Sequence, residues 1–182
     1  MSDDVLNNAL KGAIAGAVGV WVMDRLDWFM FDHVDPAARR RTEQVRPGGL
    51  DPAHVAAHKL ADALGTELSP KQPHPAGVAI HYSLGIGLGA IYGACRERLP
   101  VTHTSQDALY GMGAGLSLFL AQDEALNQVM GLSARQKDYP WQAHARGLVA
   151  HLTLGLVTNT VLNLLNAPRP RPRVGGVRLT GG

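Results

Sequence analysis

From Pro75 to Cys95 the chain reads PAGVAIHYSLGIGLGAIYGAC, 21 positions without an Asp, Glu, Lys or Arg. At about 1.5 Å per residue, a helix of that length reaches roughly 30 Å, the thickness of a bilayer core. Gly77, Gly85, Gly87, Gly89 and Gly93 lie within it, and each costs about 1 kcal/mol relative to alanine in a water-exposed helix. In lipid the alternative to helix is an unsatisfied backbone, so glycine is tolerated there and lets helices approach closely. A stretch both this apolar and this rich in glycine points to a membrane helix packed against another.

Three further apolar segments run from about Asn8 to Phe31, from Asp107 to Gln122 and from Trp141 to Leu165, the last uncharged from Gly147 onward. Charged residues are 18% of the chain, against roughly 25% in average soluble domains. The expected fold class is all-α, a four-helix transmembrane bundle over residues 1–167, followed by a basic disordered tail at 168–182. The small-xxx-small stripe Gly85, Gly89, Gly93 is echoed by Gly12 with Gly16 and by Gly111 with Gly115. The polar stretch between the first two segments holds Asp51-Pro52 followed by AHVAAHKLADALG, which reads as an N-cap, a proline at the first helical position and a short loop helix ending at Gly65.

Several classes are excluded or disfavoured. A formal net charge of +2, with arginines in two local clusters, argues against nucleic acid as a partner. The single cysteine, Cys95, allows neither an intramolecular disulfide nor a multi-cysteine metal site. Asp3 and Asp4 stand where a signal peptide would be positive, so the first segment is expected to stay in the mature protein. The sequence has no Walker loop, nucleophile elbow, zinc-protease motif or Glu-x-x-His di-iron motif, which favours a binding or transport protein over an enzyme.

GVAIHYSLG at 77–85 recurs as GLVAHLTLG at 147–155, and KGAIAGAVGVWVMD at 11–24 aligns without gaps on YGMGAGLSLFLAQD at 110–123. The expected arrangement is two repeated helical hairpins, repeat one at 9–95 and repeat two at 107–165, related by an axis along the membrane normal. The alignment pairs Asp24 with Asp123 and His81 with His151, and puts all four toward one side. His81 and His151 sit on glycine stripes and should point into the bundle. Asp27, Glu124, Asn127, His144 and Arg146 gather at the same end.

Ionisable residues within a membrane usually face a partner or a cavity. Asp24, His81, Asp123 and His151, with Glu124 and His144, could hold a divalent transition metal such as zinc, iron or manganese. The same groups could carry protons, linked to transport or to a pH or acid response. His81 and His151 could instead ligate a b-type haem. Asp-His pairs that only fasten helices, in an accessory subunit docking its glycine stripes on a larger membrane complex or on copies of itself, are the remaining alternative. Tyr139, Trp141 and Trp28 read as interfacial belt residues.

An Ala/Gly-rich first helix, a His-containing second helix ending in Gly87-x-x-x-Ile91-Tyr92-Gly93, Gly131-Leu132, and Tyr139-Pro140-Trp141 before a final His-containing helix resemble the YagU-type family of small bacterial inner-membrane proteins. That resemblance covers residues 9–165. It implies a multi-pass protein of the inner (cytoplasmic) membrane with a link to acid resistance, and it adds no ligand set. The basic tail favours cytoplasmic termini.

Overall fold

The computed structural model describes residues 3–98 and 104–167, and the basic tail 168–182 lies outside them. Among the described residues all regular structure is helical. Helix α1 is Asp3–His33, and two short helices follow, α2 (Pro36–Val45) and α3 (Pro52–Ala63). Next comes α4 (Pro75–Cys95), with the bounds read from its lack of charge. Helix α5 (Thr104–Leu118) continues into a π-helical stretch, Phe119–Leu126, and a last turn, α6 (Asn127–Val129), before α7 (Trp141–Asn166).

The caps follow from local chemistry. Asp51 accepts a hydrogen bond from the His54 amide at the start of α3, and Asp35 accepts one from the Ala38 amide at the start of α2. Each precedes a proline at the first helical position, so α2 bears the same Asp-Pro signature as the expected loop helix. Val55 on α3 is buried with Leu50 and Leu132, whereas Leu60 and Leu64 face outward.

Three helices, α1, α4 and α7, are long and apolar enough to cross a membrane. The third apolar segment is not among them, because its α-helical part ends after 15 residues and the π-helical continuation carries Asp123 and Glu124. Only 17% of the apolar window of α4 is buried within the protein. Leu6, Leu10, Ile14, Val18 and Trp21 form an exposed stripe along α1, and Ile91, Leu109, Leu116, Leu156 and Leu164 are exposed on the other helices. An outward-facing apolar surface of this kind is consistent with a membrane protein.

What the helices bury against each other is mostly glycine. A Cβ built on Gly89 would come within 2.8 Å of the Gly16 Cα, and one on Gly93 within 2.8 Å of the Gly12 Cα. The same device joins α5 to α7, where a Cβ on Gly111 would lie 2.8 Å from the Gly155 carbonyl oxygen. Hence α1 packs along α4, and α5 along α7. The two hairpins meet through α1 and α7, where Gly19 lies against Leu154 and Thr158. A two-fold axis relating the repeats would require α5 to pack on α4 in the same way; no such backbone approach occurs among the described residues. The hairpins resemble each other internally while their relation is unsymmetric.

At the end away from Asp24, Asn159 is fully enclosed. Its Oδ1 accepts from the Tyr92 hydroxyl at 2.7 Å and Arg96 Nε at 3.3 Å, and its Nδ2 donates to Asp107 Oδ2 at 2.9 Å. Asn163 also donates to Asp107, which pairs with Arg96. Lys11 of α1 bonds Asn166 of α7 at the same end. The path from Asp107 to Asp123 therefore runs the length of the molecule, from the Asn159 cluster to the opposite end.

Two substitutions distinguish inward from outward glycines. Gly89→Leu is expected to cost more than about 3 kcal/mol, because its neighbours are backbone and cannot yield. Gly87→Leu, with nothing within 4 Å of its Cβ position, should leave the melting temperature in detergent within a degree or two of wild type.

Candidate functional site

Helix side chains lean toward their own N-terminus. Asp24 lies two turns beyond the glycine contact on α1 and leans back, while His81 lies one turn before Gly85 on the antiparallel α4 and leans forward. The two side chains therefore meet, and His81 Nε2 donates to Asp24 Oδ1 at 2.9 Å. In the second hairpin the spacing is the same, but Asp123 sits on the π-helical stretch, and His151 Nδ1 stands 3.6 Å from its Oδ2. That nitrogen donates instead to the Gly147 carbonyl at 3.0 Å, and Asp123 Oδ1 accepts from Asn127 Nδ2 at 3.2 Å. Wider π turns recur at functional sites; here the freed Asp123 carbonyl is taken by Gln136 Nε2.

These groups line one cavity of about 490 Å³. Its floor is the end of the helices, with Met23, Asp24, His81, Phe119, Asp123 and His151. Its roof is the chain between α1 and α4, contributing Arg46, His54 and Gln72, together with Gln136 and Tyr139 before α7. The excursion between α1 and α4 thus covers the site.

Glu124 and His144 form the third pair, with Nδ1 to Oε1 at 2.7 Å. His144 Nε2 also points at a carbonyl, that of Gln136, at 3.1 Å. Both ring nitrogens face acceptors, and a neutral imidazole has one N–H. His54 is the opposite case. Its Nδ1 donates to Asp51 at 2.8 Å while its Nε2 accepts from the His74 amide at 2.8 Å, which fixes a neutral tautomer. Gln72 completes this latch, donating to Asp51 Oδ2 at 2.7 Å, and Gly77 leaves room for the His54 ring against α4.

The six expected ligands thus come to one end of the molecule but not to one point. They divide into Asp24 with His81, Asp123 with His151 and Glu124 with His144. Among the described residues no three His, Cys, Asp or Glu side chains converge to hold a metal ion, so the sequence-based metal set is not assembled. Nor do the residues fit a haem between His81 and His151, since axial ligation through His81 Nε2 would displace its bond to Asp24. The belt reading meets a mixed outcome. Trp28 and Trp141 are exposed, but Tyr139 turns inward, lining the cavity and accepting from the Ala134 amide at 3.3 Å.

Sequence reasoning passed over Arg46, His54, Gln72 and Gln136 as site residues. Only His54, three residues after an N-cap Asp, carried a local signal. It also left Asp27 and Arg146 unassigned as a pair, although they form a close ion pair in the cavity wall with Arg146 13% exposed. Arg146→Gln leaves the Asp27 carboxylate without its partner and is expected to destabilise by about 3–5 kcal/mol. The double variant Asp27→Asn, Arg146→Gln should recover much of that, as read by thermal unfolding in detergent. Compared with protein-family models, with curated proteins and with solved structures, the chain matches none.

Proposed function

We propose that the protein is a multi-pass membrane protein whose cavity takes up and passes protons through paired carboxylates and histidines. The observation that carries this reading is the Glu124–His144 pair, in which the two ring nitrogens face a carboxylate and a carbonyl oxygen at 2.7 and 3.1 Å. Asp24–His81 and Asp123–His151 stand beside it in the same cavity, so three acid–histidine pairs line one space. Ionisable groups kept within a membrane mark ion and proton pathways.

In this reading four helices cross the bilayer as two repeated hairpins. Two features support a crossing by the third apolar segment: the path from Asp107 to Asp123 spans both polar clusters, and the Lys11–Asn166 bond brings the ends of α1 and α7 to one side. The termini lie in the cytoplasm of a bacterium and the cavity opens on the outer face of the inner membrane, as the YagU-type resemblance and its acid-resistance link also suggest. A divalent metal is the less favoured occupant, because each histidine is already matched with one acid. A second reading, an accessory subunit, would have to dock through glycines outside the stripes, such as Gly87 and Gly113 with open space around them, because the stripe glycines already meet one another within the protein.

Proteoliposomes containing a trapped pH-sensitive dye test the proposal. An imposed pH gradient should collapse faster than in empty liposomes. Glu124→Gln and the double variant His81→Ala, His151→Ala should each slow it at least about tenfold, toward the contribution of a positioned acid–base group. A wild-type rate equal to that of empty liposomes would refute proton passage. Stoichiometric zinc, iron or manganese in the purified protein, lost in the double variant, would restore the metal reading.

A further inference from the structure

Arg46 lines the cavity, yet among the described residues its guanidinium makes no hydrogen bond or ion pair. It lies over the Phe31 ring, 5.5 Å from its centre, and Arg146 lies over the same ring at 5.0 Å. A ring face attracts a cation but accepts none of the guanidinium's five N–H groups in good geometry. The acids that face Arg46 are committed elsewhere: Asp27 to Arg146, and Asp51 to His54 and Gln72. The remaining carboxylates of the cavity pair with His81, Arg39, Asn127 and His144. Burial and the like charge of Arg146 pull Arg46 below its ordinary value. Arg46 is half-buried beside a second cation and keeps its donors open to the cavity, an arrangement that an anion between the two would stabilise.

We propose that Arg46 and Arg146, which both lie over the Phe31 ring, form the recognition end of a binding site for a small phosphate-type oxyanion. Guanidinium is the side chain suited to this task, since its planar fork matches two oxygens of a phosphate. The cavity is of the size that encloses small ligands, and Trp28, Phe31, Phe119 and Leu132 give the body of such a ligand an apolar wall. This site shares the cavity with the acid–histidine pairs but does not depend on their carrying protons. Its anion can come from a soluble phosphate compound or from a phospholipid headgroup, because the cavity opens near the expected membrane surface.

The full chain in phosphatidylcholine nanodiscs serves for the test. Isothermal titration with inorganic phosphate, at ionic strength fixed by chloride, should show saturable binding. Arg46→Gln should weaken it at least about tenfold, the size of losing one bidentate charged contact. Arg46→Lys, which keeps the charge but not the fork, should fall between them. Arg135→Gln, at an exposed pair with Asp138, should bind as wild type does. A second arm adds phosphatidic acid to the nanodiscs and follows the melting temperature. A rise that depends on Arg46, with no response to inorganic phosphate, assigns the site to a lipid headgroup; phosphate binding in phosphatidylcholine alone assigns it to a soluble anion. The proposal falls if neither arm responds, or if Arg46→Gln and Arg46→Lys respond as wild type does. Proton flux can fail while either arm succeeds, so the two proposals are judged separately.

Discussion

Backbone contact through glycine sets every other distance in this protein. Gly12 and Gly16 lie against Gly85, Gly89 and Gly93, and Gly111 and Gly115 against Gly155 and the His151 carbonyl. Such contacts leave little room for side chains between the helices, so dispersion over a long close seam holds them together. They also fix height. Once Gly16 meets Gly85, Asp24 and His81 can only lean toward one another, and the hydrogen bond between them follows from the seam.

The two hairpins use one seam but build an unsymmetric molecule. α1 packs on α7 with no counterpart between α5 and α4, and only the first hairpin carries the long excursion with α2 and α3. The asymmetry falls where chemistry would use it. One half brings Asp24, His81 and, from the excursion, the roof with Arg46, His54 and Gln72; the other brings Asp123, Glu124, His144 and His151. The π-helical stretch loosens the second Asp-His pair relative to the first. The α1–α4 and α5–α7 hairpins thus bring two different Asp-His pairs to one space.

The histidines of that space are in three distinct situations. His54 is locked neutral between a carboxylate and an amide, His144 faces two acceptors, and His151 has one nitrogen committed to a carbonyl. These histidines are held in separate pairings, whereas a metal centre would need its ligands to converge. At the opposite end, Asn159 satisfies every partner it meets, as expected of a pin that holds three helices in register.

Much of the fold was legible because it rests on local chemistry. A run of 21 residues without charge, proline after an N-cap aspartate and glycine at every fourth place specify helices and their close-packing faces whatever lies around them. The repeat placed His81 with Asp24 and His151 with Asp123 because register along two antiparallel helices is periodic. What the sequence could not contain was the relation between the hairpins, since α1 against α7 depends on Gly19 fitting Leu154 and Thr158, a match of shapes about 140 positions apart. Nor could it show which acids are already taken. Whether six ionisable groups form a metal cage or three separate pairs is decided by side-chain directions in space, and the roof over them, with Arg46 unpaired within it, exists only once the excursion folds back on the helix ends.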